Sequence, residues 1–302
     1  MVTKDIFFNH SGVRTSNNSG QILVIVLLLL AVTLTIGLSV VSRSFVDVQI
    51  SHQEEESARS FSVAEAGLEE ALRLGRETQL VVTTEWGDVT ANVAKVPLGG
   101  GTEFDFANET LNEGEIRTLW LVSHLSGQPL GNYYPVNESI TLCWADEDIP
   151  LPPPETKGLG IEALVFYETG GNYRVALAGF DRDAASRTPP SNFDDSIEAV
   201  TSCTGFRYQK TINFNTDLGI PVTDGGGNPT HLYAMRLRYL YNIEPQPLKV
   251  FGSVDLPQQG DCYQSSVTLE SGVTTKLEQC PFFEAPPAVF DFVLFSDTGL
   301  IK

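Results

Sequence analysis

Positive charge is scarce in this chain: 19 Lys and Arg stand against 38 Asp and Glu, a formal net charge of −19. Nucleic-acid binding needs clustered Lys and Arg to neutralise phosphates, so no direct nucleic-acid binding is expected. Docking of the body on anionic lipid is disfavoured for the same reason. Histidine is rarer still. His10, His52, His124 and His231 are the only four, and none has another His or Cys at ligand spacing. C-x-x-C and G-x-S-x-G are absent, and neither "GLG" (158–160) nor "GGG" (225–227) leads into a lysine and a helix start. Asp194 and Asp195, next to "TPPSNF", read as a solvated loop and not as a hydrolytic pair. The oxygen-rich stretch 215–228, with Asp217, Asp224 and Asn228, matches no calcium-loop spacing and reads as a turn. The chain is therefore read as non-enzymatic, with no catalytic residues, cofactor or metal.

Charge of either sign is missing from Ile22 to Val41, and this absence says the most. Twenty residues at about 1.5 Å rise make a helix of roughly 30 Å, the thickness of a bilayer's hydrocarbon core. The apolar core of a cleaved secretory signal is shorter, about 7–15 residues, and an A-x-A site follows it. "GLSVVSRSF" has none. Lys4 and Arg14 precede the run against Asp5 alone, whereas Asp47, Glu54, Glu55 and Glu56 follow it, which places the N-terminus in the cytoplasm. Everything past about Val41 then lies outside. Residues 44–302 hold 16 of the basic and 37 of the acidic residues, a net of −21. Such a charge keeps an exported body soluble and self-repelling.

No proline follows the run for a further thirty residues, and the one glycine before Gly75 is Gly67. Val46, Ile50, Ser57, Phe61, Ala64, Leu68 and Ala71 recur three, four or seven apart, which predicts one stripe of an amphipathic helix. Glu55 with Arg59 and Glu69 with Arg73 sit four apart in the supportive order. The expectation is one continuous helix over 21–75, membrane-spanning at about 22–41 and amphipathic at 42–74, with Gly75 as its stop.

A polar leader ending in Gly20, an uncharged run directly after it and a helix of this length resemble the N-terminal region of type IV pilins and type II secretion pseudopilins. "SFSVAEAGLEEAL" (60–72) is similar to the alanine- and glycine-bearing stretch near the helix end of PilX-type minor pilins. The resemblance covers residues 17–74. It implies a cytoplasmic leader, residues 1–20, removed by a prepilin peptidase between Gly20 and Gln21. It also implies a retained helix that leaves the bilayer and packs among other pilins, with the inner-membrane assembly platform as a further partner. The family usually places Phe or Met first after the cut and Glu fifth. Here those positions hold Gln21 and Ile25. The missing acid points to a minor, tip-proximal or priming subunit.

The body predicts β structure: branched and aromatic residues gather at 79–86, 89–96, 116–123, 139–144, 161–168, 173–180, 205–214, 231–241, 248–254 and 288–296, separated by Gly/Pro turns. The fold class expected is α+β. The helix covers a first antiparallel sheet from residues 76–145, a proline-rich linker spans 146–158, and a further sandwich-like β domain spans 159–302. One larger sandwich with a long surface loop is the alternative. Cys143, Cys203, Cys262 and Cys280 all fall in the exported part, where disulfides form. Three connectivities are open, and loop closure favours the sequential one over the others and over free thiols. Asn108 and Asn137 stand in glycosylation sequons. Two functional classes remain. One is a pilin-like subunit that initiates, caps or decorates a filament at the cell surface. The other is a single-pass anchored binding or enzymatic ectodomain.

Overall fold

With no proline to interrupt it, the helix α1 (Ser19–Leu74) runs unbroken through 56 residues. The computed structural model describes residues 19–84, 87–106, 110–124, 130–149 and 158–287. Gly75 ends the helix by adopting φ +65°. Its N–H bonds the carbonyl of Leu72 and the N–H of Arg76 that of Ala71, the paired bonds of a glycine C-cap.

Among the described residues, twelve strands form three four-stranded sheets, antiparallel throughout. In chain order they are β1 (Thr78–Thr84), β2 (Gly87–Gly99), β3 (Glu103–Asp105), β4 (Ile116–Trp120), β5 (Ser139–Asp146) and β6 (Gly160–Thr169). Then come β7 (Asn172–Phe180), β8 (Phe206–Asn213), β9 (His231–Leu240), β10 (Leu248–Gly252), β11 (Gln258–Thr268) and β12 (Thr274–Gln279). The first sheet has the order β1-β2-β11-β12, the second β3-β10-β5-β8 and the third β4-β9-β6-β7. The architecture is α+β, as the composition of the two halves predicts.

The second and third sheets share one core. Ile140, Leu142, Trp144, Ile212 and Val250 meet Ile161, Val165, Met235 and Leu237, all buried. Along β6 the buried residues alternate with half-buried ones, the period of two that a strand imposes. Polar atoms drawn into this core are matched: the Trp144 indole N–H donates to the Leu159 carbonyl at 2.9 Å, and the Ala145 N–H donates to the Tyr239 hydroxyl at 2.9 Å.

The first sheet carries the helix. Ser60, Val63, Ala64, Gly67, Leu68 and Ala71 are the buried positions of α1, set against Val89, Ala91 and Val93 of β2 and Tyr263, Ser265 and Val267 of β11. The approach is closest at Gly67, where an added Cβ would lie 2.6 Å from the Ala91 Cβ and 3.4 Å from the Ser265 Oγ. The Ser60 and Thr275 hydroxyls hydrogen-bond each other across the same interface.

Two expectations need correction. The stripe begins later and lies around the helix from where the spacing of large side chains put it. Ala64, Leu68 and Ala71 are buried, but Val46, Ile50, Ser57 and Phe61 are exposed. Ser60 and Gly67 face the sheet instead, because close packing selects small side chains over apolar ones. The sheet under the helix does not come from residues 76–145 alone: β11 and β12, from residues 258–279, make half of it. Likewise β3, β4 and β5 pair with β10, β9 and β8, so 146–158 does not divide the body into separately built sheets. Residues 150–157 of that stretch, and the expected strand at 288–296, lie outside the described residues.

Overpacking at the closest point should be costly. Gly67→Leu is expected to destabilise the helix–sheet unit by about 1–3 kcal/mol, whereas Ser62→Leu, on the exposed side one turn away, should stay within about 0.5 kcal/mol. Thermal unfolding of the two variants in detergent provides the comparison; equal midpoints would show that the approach at Gly67 is not tight.

Candidate functional site: the uncovered N-terminal helix

Fifteen large apolar side chains between Ile22 and Val41 are exposed, Leu23 at 67% and Leu34 at 65% among them. Burying a side chain of this kind is worth about 1.5–3 kcal/mol, so the run withholds roughly 20–45 kcal/mol from water. That exceeds the usual stability of a whole domain, about 5–15 kcal/mol. An 18-residue window here has a mean hydropathy of 2.9, and none of it is buried; the helix is long and apolar enough to cross a membrane. Inside the run, Thr33 donates its hydroxyl to the carbonyls of Leu29 and Leu30, and Thr35 to that of Val32. This keeps both side chains compatible with hydrocarbon.

Past Val41 the helix stays uncovered for nearly twenty residues more. Phe45, Val46, Val48 and Ile50 are exposed at 69, 48, 65 and 49%, among the acids Asp47, Glu54 and Glu55. Cover by the described chain begins at Glu56 and Arg59, where the Arg59 guanidinium reaches the Gly87 carbonyl, and from Ser60 on it buries one side of the helix. α1 is thus a rod held at one end.

Gly20 and Gln21 lie in the first turn of this rod, and Ile25 one turn on is 55% exposed. No acid stands in the first turn. A first turn is the weakest part of a helix, and glycine weakens it further by its large backbone entropy.

The other candidates fall elsewhere and apart. The cysteines form two disulfides, Cys143–Cys203 and Cys262–Cys280. The first fastens β5 to the loop before β8, with Phe206 beside it; the second ties β11 to the residue following β12. Cys262, Glu278 and Cys280 come together within 4.8 Å, but both sulfurs are spent in the disulfide. His52 is exposed on α1, 3.8 Å from Glu56. His124 packs between Trp120 and Phe283, where burial holds its imidazole below the ordinary value, and His231 lies under Tyr133 beside Glu168. His10 and Asn108 lie outside the described residues, and Asn137 is exposed in a turn. Asp217 accepts the Asn213 N–H, while Asp224 accepts the N–H groups of Gly226 and Asn228, so each closes its own turn. A shallow trough of about 860 Å³ on the first sheet is lined by Gln79, Asn92, Gln264, Lys276 and Glu278 among others.

The signal that sequence reasoning passed over is the small-residue spacing Ser60, Ala64, Gly67, Ala71, which marks the helix's fixed end as surely as an apolar stripe marks an ordinary one. It sits inside the "SFSVAEAGLEEAL" stretch.

Asp194 is held by its own loop and by Lys210. Burial opposes its ionisation, yet hydrogen bonds from Ser196 and the Lys210 ammonium outweigh burial and hold its carboxyl at about 2. A depressed carboxyl contributes stability above its unfolded value, near 4, and loses it as pH falls toward 2. Asp194→Asn should therefore flatten the acid limb of urea unfolding between about pH 4 and pH 2; an unchanged limb would show that the Lys210 contact contributes nothing. Comparison of the chain with protein-family models, with curated proteins and with solved structures found no match.

Proposed function

We propose that the chain is a minor pilin-like structural subunit, processed between Gly20 and Gln21 and then held by neighbouring helices in a type IV pilus or related secretion filament. One observation carries the reading: a single unbroken helix is locked to the body over its last turns and uncovered over its first forty residues. A membrane tether needs only about 20 apolar residues. It has no use for a further stretch of bare rod bearing Phe45, Val48 and Ile50. Packing among like helices gives both stretches a partner.

Before assembly the run at 22–41 rests in the cytoplasmic membrane with its N-terminus inside, and the body lies outside, where two disulfides are at home. The prepilin peptidase and the inner-membrane assembly platform are the partners at that stage. In the filament, Ile25 offers no carboxylate to offset the terminal amine of an adjoining subunit. Away from water an unmatched charge is costly. This chain is therefore suited to starting, capping or decorating a filament and not to forming its shaft.

Co-expression with a prepilin peptidase should shorten the chain by the 20 residues that end at Gly20, and Gly20→Leu should abolish the cut, as read by intact mass. An uncut N-terminus in a filament-producing host would overturn the proposal and leave an anchored ectodomain. Ile25→Glu should raise the number of copies in sheared filaments several-fold over the unaltered chain; immunoblotting of the sheared fraction measures this.

A further inference from the structure

Each of the three sheets ends in two edge strands, and an unguarded edge is a template for another chain. Five of the six are guarded. β3 is three residues long and holds Glu103 and Asp105. β12 carries Lys276 and Glu278. β4 carries Arg117, and the Gln259 side-chain amide meets both the N–H of Trp120, at 2.7 Å, and its carbonyl, at 2.9 Å. Along β8 the Glu198 N–H donates to the Gln209 carbonyl, the Glu198 carboxylate accepts the Thr211 N–H, and Asp217 accepts that of Asn213. β7 carries Arg174, and near its end the Asp194 N–H donates to the Gly179 carbonyl.

β1, "TQLVVTT", is the exception. It has no charged residue and no proline, and among the described residues nothing is bonded to its outer side. Thr84 pairs with Gly87, with two residues between them, and such a pair closes a hairpin with hydrogen bonds. Bonded and non-bonded pairs alternate from there, so the N–H and carbonyl groups of Gln79, Val81 and Thr83 point outward. Three donors and three acceptors thus stand in a row, about 6.8 Å from one residue to the next. On the helix side, Leu80 and Val82 are half-buried against the cluster of Val63 and Ala64. On the other side Val81 is 55% exposed.

We propose that the β1 edge receives an extended segment of a different protein as a fifth strand of the first sheet. The outward row of donors and acceptors sets the conformation of that segment, and the margin formed by Leu80 and Val82 selects apolar residues at alternate positions. A body of net charge −21 selects a segment without acids. A second copy fits less well. Antiparallel pairing of β1 with itself would point the two helices in opposite directions, out of a shared membrane, and both bodies carry the same excess of negative charge.

The probe is a phage-displayed library of random nonapeptides, selected on the full-length protein in detergent. Winning peptides should alternate apolar with polar residues, lack acids, and slow amide hydrogen exchange at Gln79, Val81 and Thr83 by about ten-fold or more. N-methylating every second residue of a winner blocks one of its two edges. One alternating set should weaken binding by about ten-fold or more, the loss of two or three hydrogen bonds, and the other set should leave it nearly unchanged. Val81→Pro, which removes an N–H the sheet does not use, should weaken binding too; were that variant to unfold, the methylated peptides would still decide. The proposal is overturned by a selection without winners, by protection of other amides, or by an equal response to both methylated sets. Protection of the same amides through self-association, with no peptide added, would assign the edge to a second copy and overturn it as well.

Discussion

The close approach of α1 to the first sheet at Gly67 is the contact on which the rest of the molecule depends. Without a side chain there, the helix lies near enough for Ala64 and Ala71 to be sealed and for Ser60 to reach Thr275. The last turns are thereby fixed in direction, and a helix with no break transmits that direction along its whole length. A rod rises about 1.5 Å per residue, so a small tilt at the fixed end becomes a large displacement at Gln21. The fine packing of a few small residues governs where the greasy end points.

The helix, most strands and the sequential disulfides were legible in the sequence because each leaves a local mark. The uncharged run, the missing prolines and the branched or aromatic strands are all read within a window of ten or twenty residues. What was not legible was the pairing. β11, "QQGDCYQSSVT", carries few of the residues that advertise a strand, yet it is central in its sheet. Its Ser265 is small because Gly67 lies over it, and this requirement comes from a residue nearly two hundred positions away. The rotated stripe has the same origin: Phe61 looks like a core residue and Ser60 does not, but the sheet admits only the smaller one. The pairing of strands across 146–158 was hidden for a related reason. A proline-rich stretch marks an extended segment, and it says nothing of which strands pair on either side.

The candidate site was legible in kind and not in extent. An apolar run announces that it must be buried somewhere. Only the three-dimensional arrangement adds that cover by the body stops at about Glu56 and that the exposed apolar surface continues past the membrane-length segment to Ile50. Asp194, Asp217 and Asp224 are each engaged by their own loops.

The first sheet also has a bearing on how the molecule is made. Its middle pair joins β2 to β11, strands separated by nearly the whole body. A ribosome or a translocation channel delivers the chain from one end. The stem of the helix therefore emerges long before its cradle is finished, and must wait, half its seat missing, until residues 258–279 arrive. Pairings so distant along the chain form slowly. During that delay Val63, Ala64, Leu68 and Ala71 have only half of their cover.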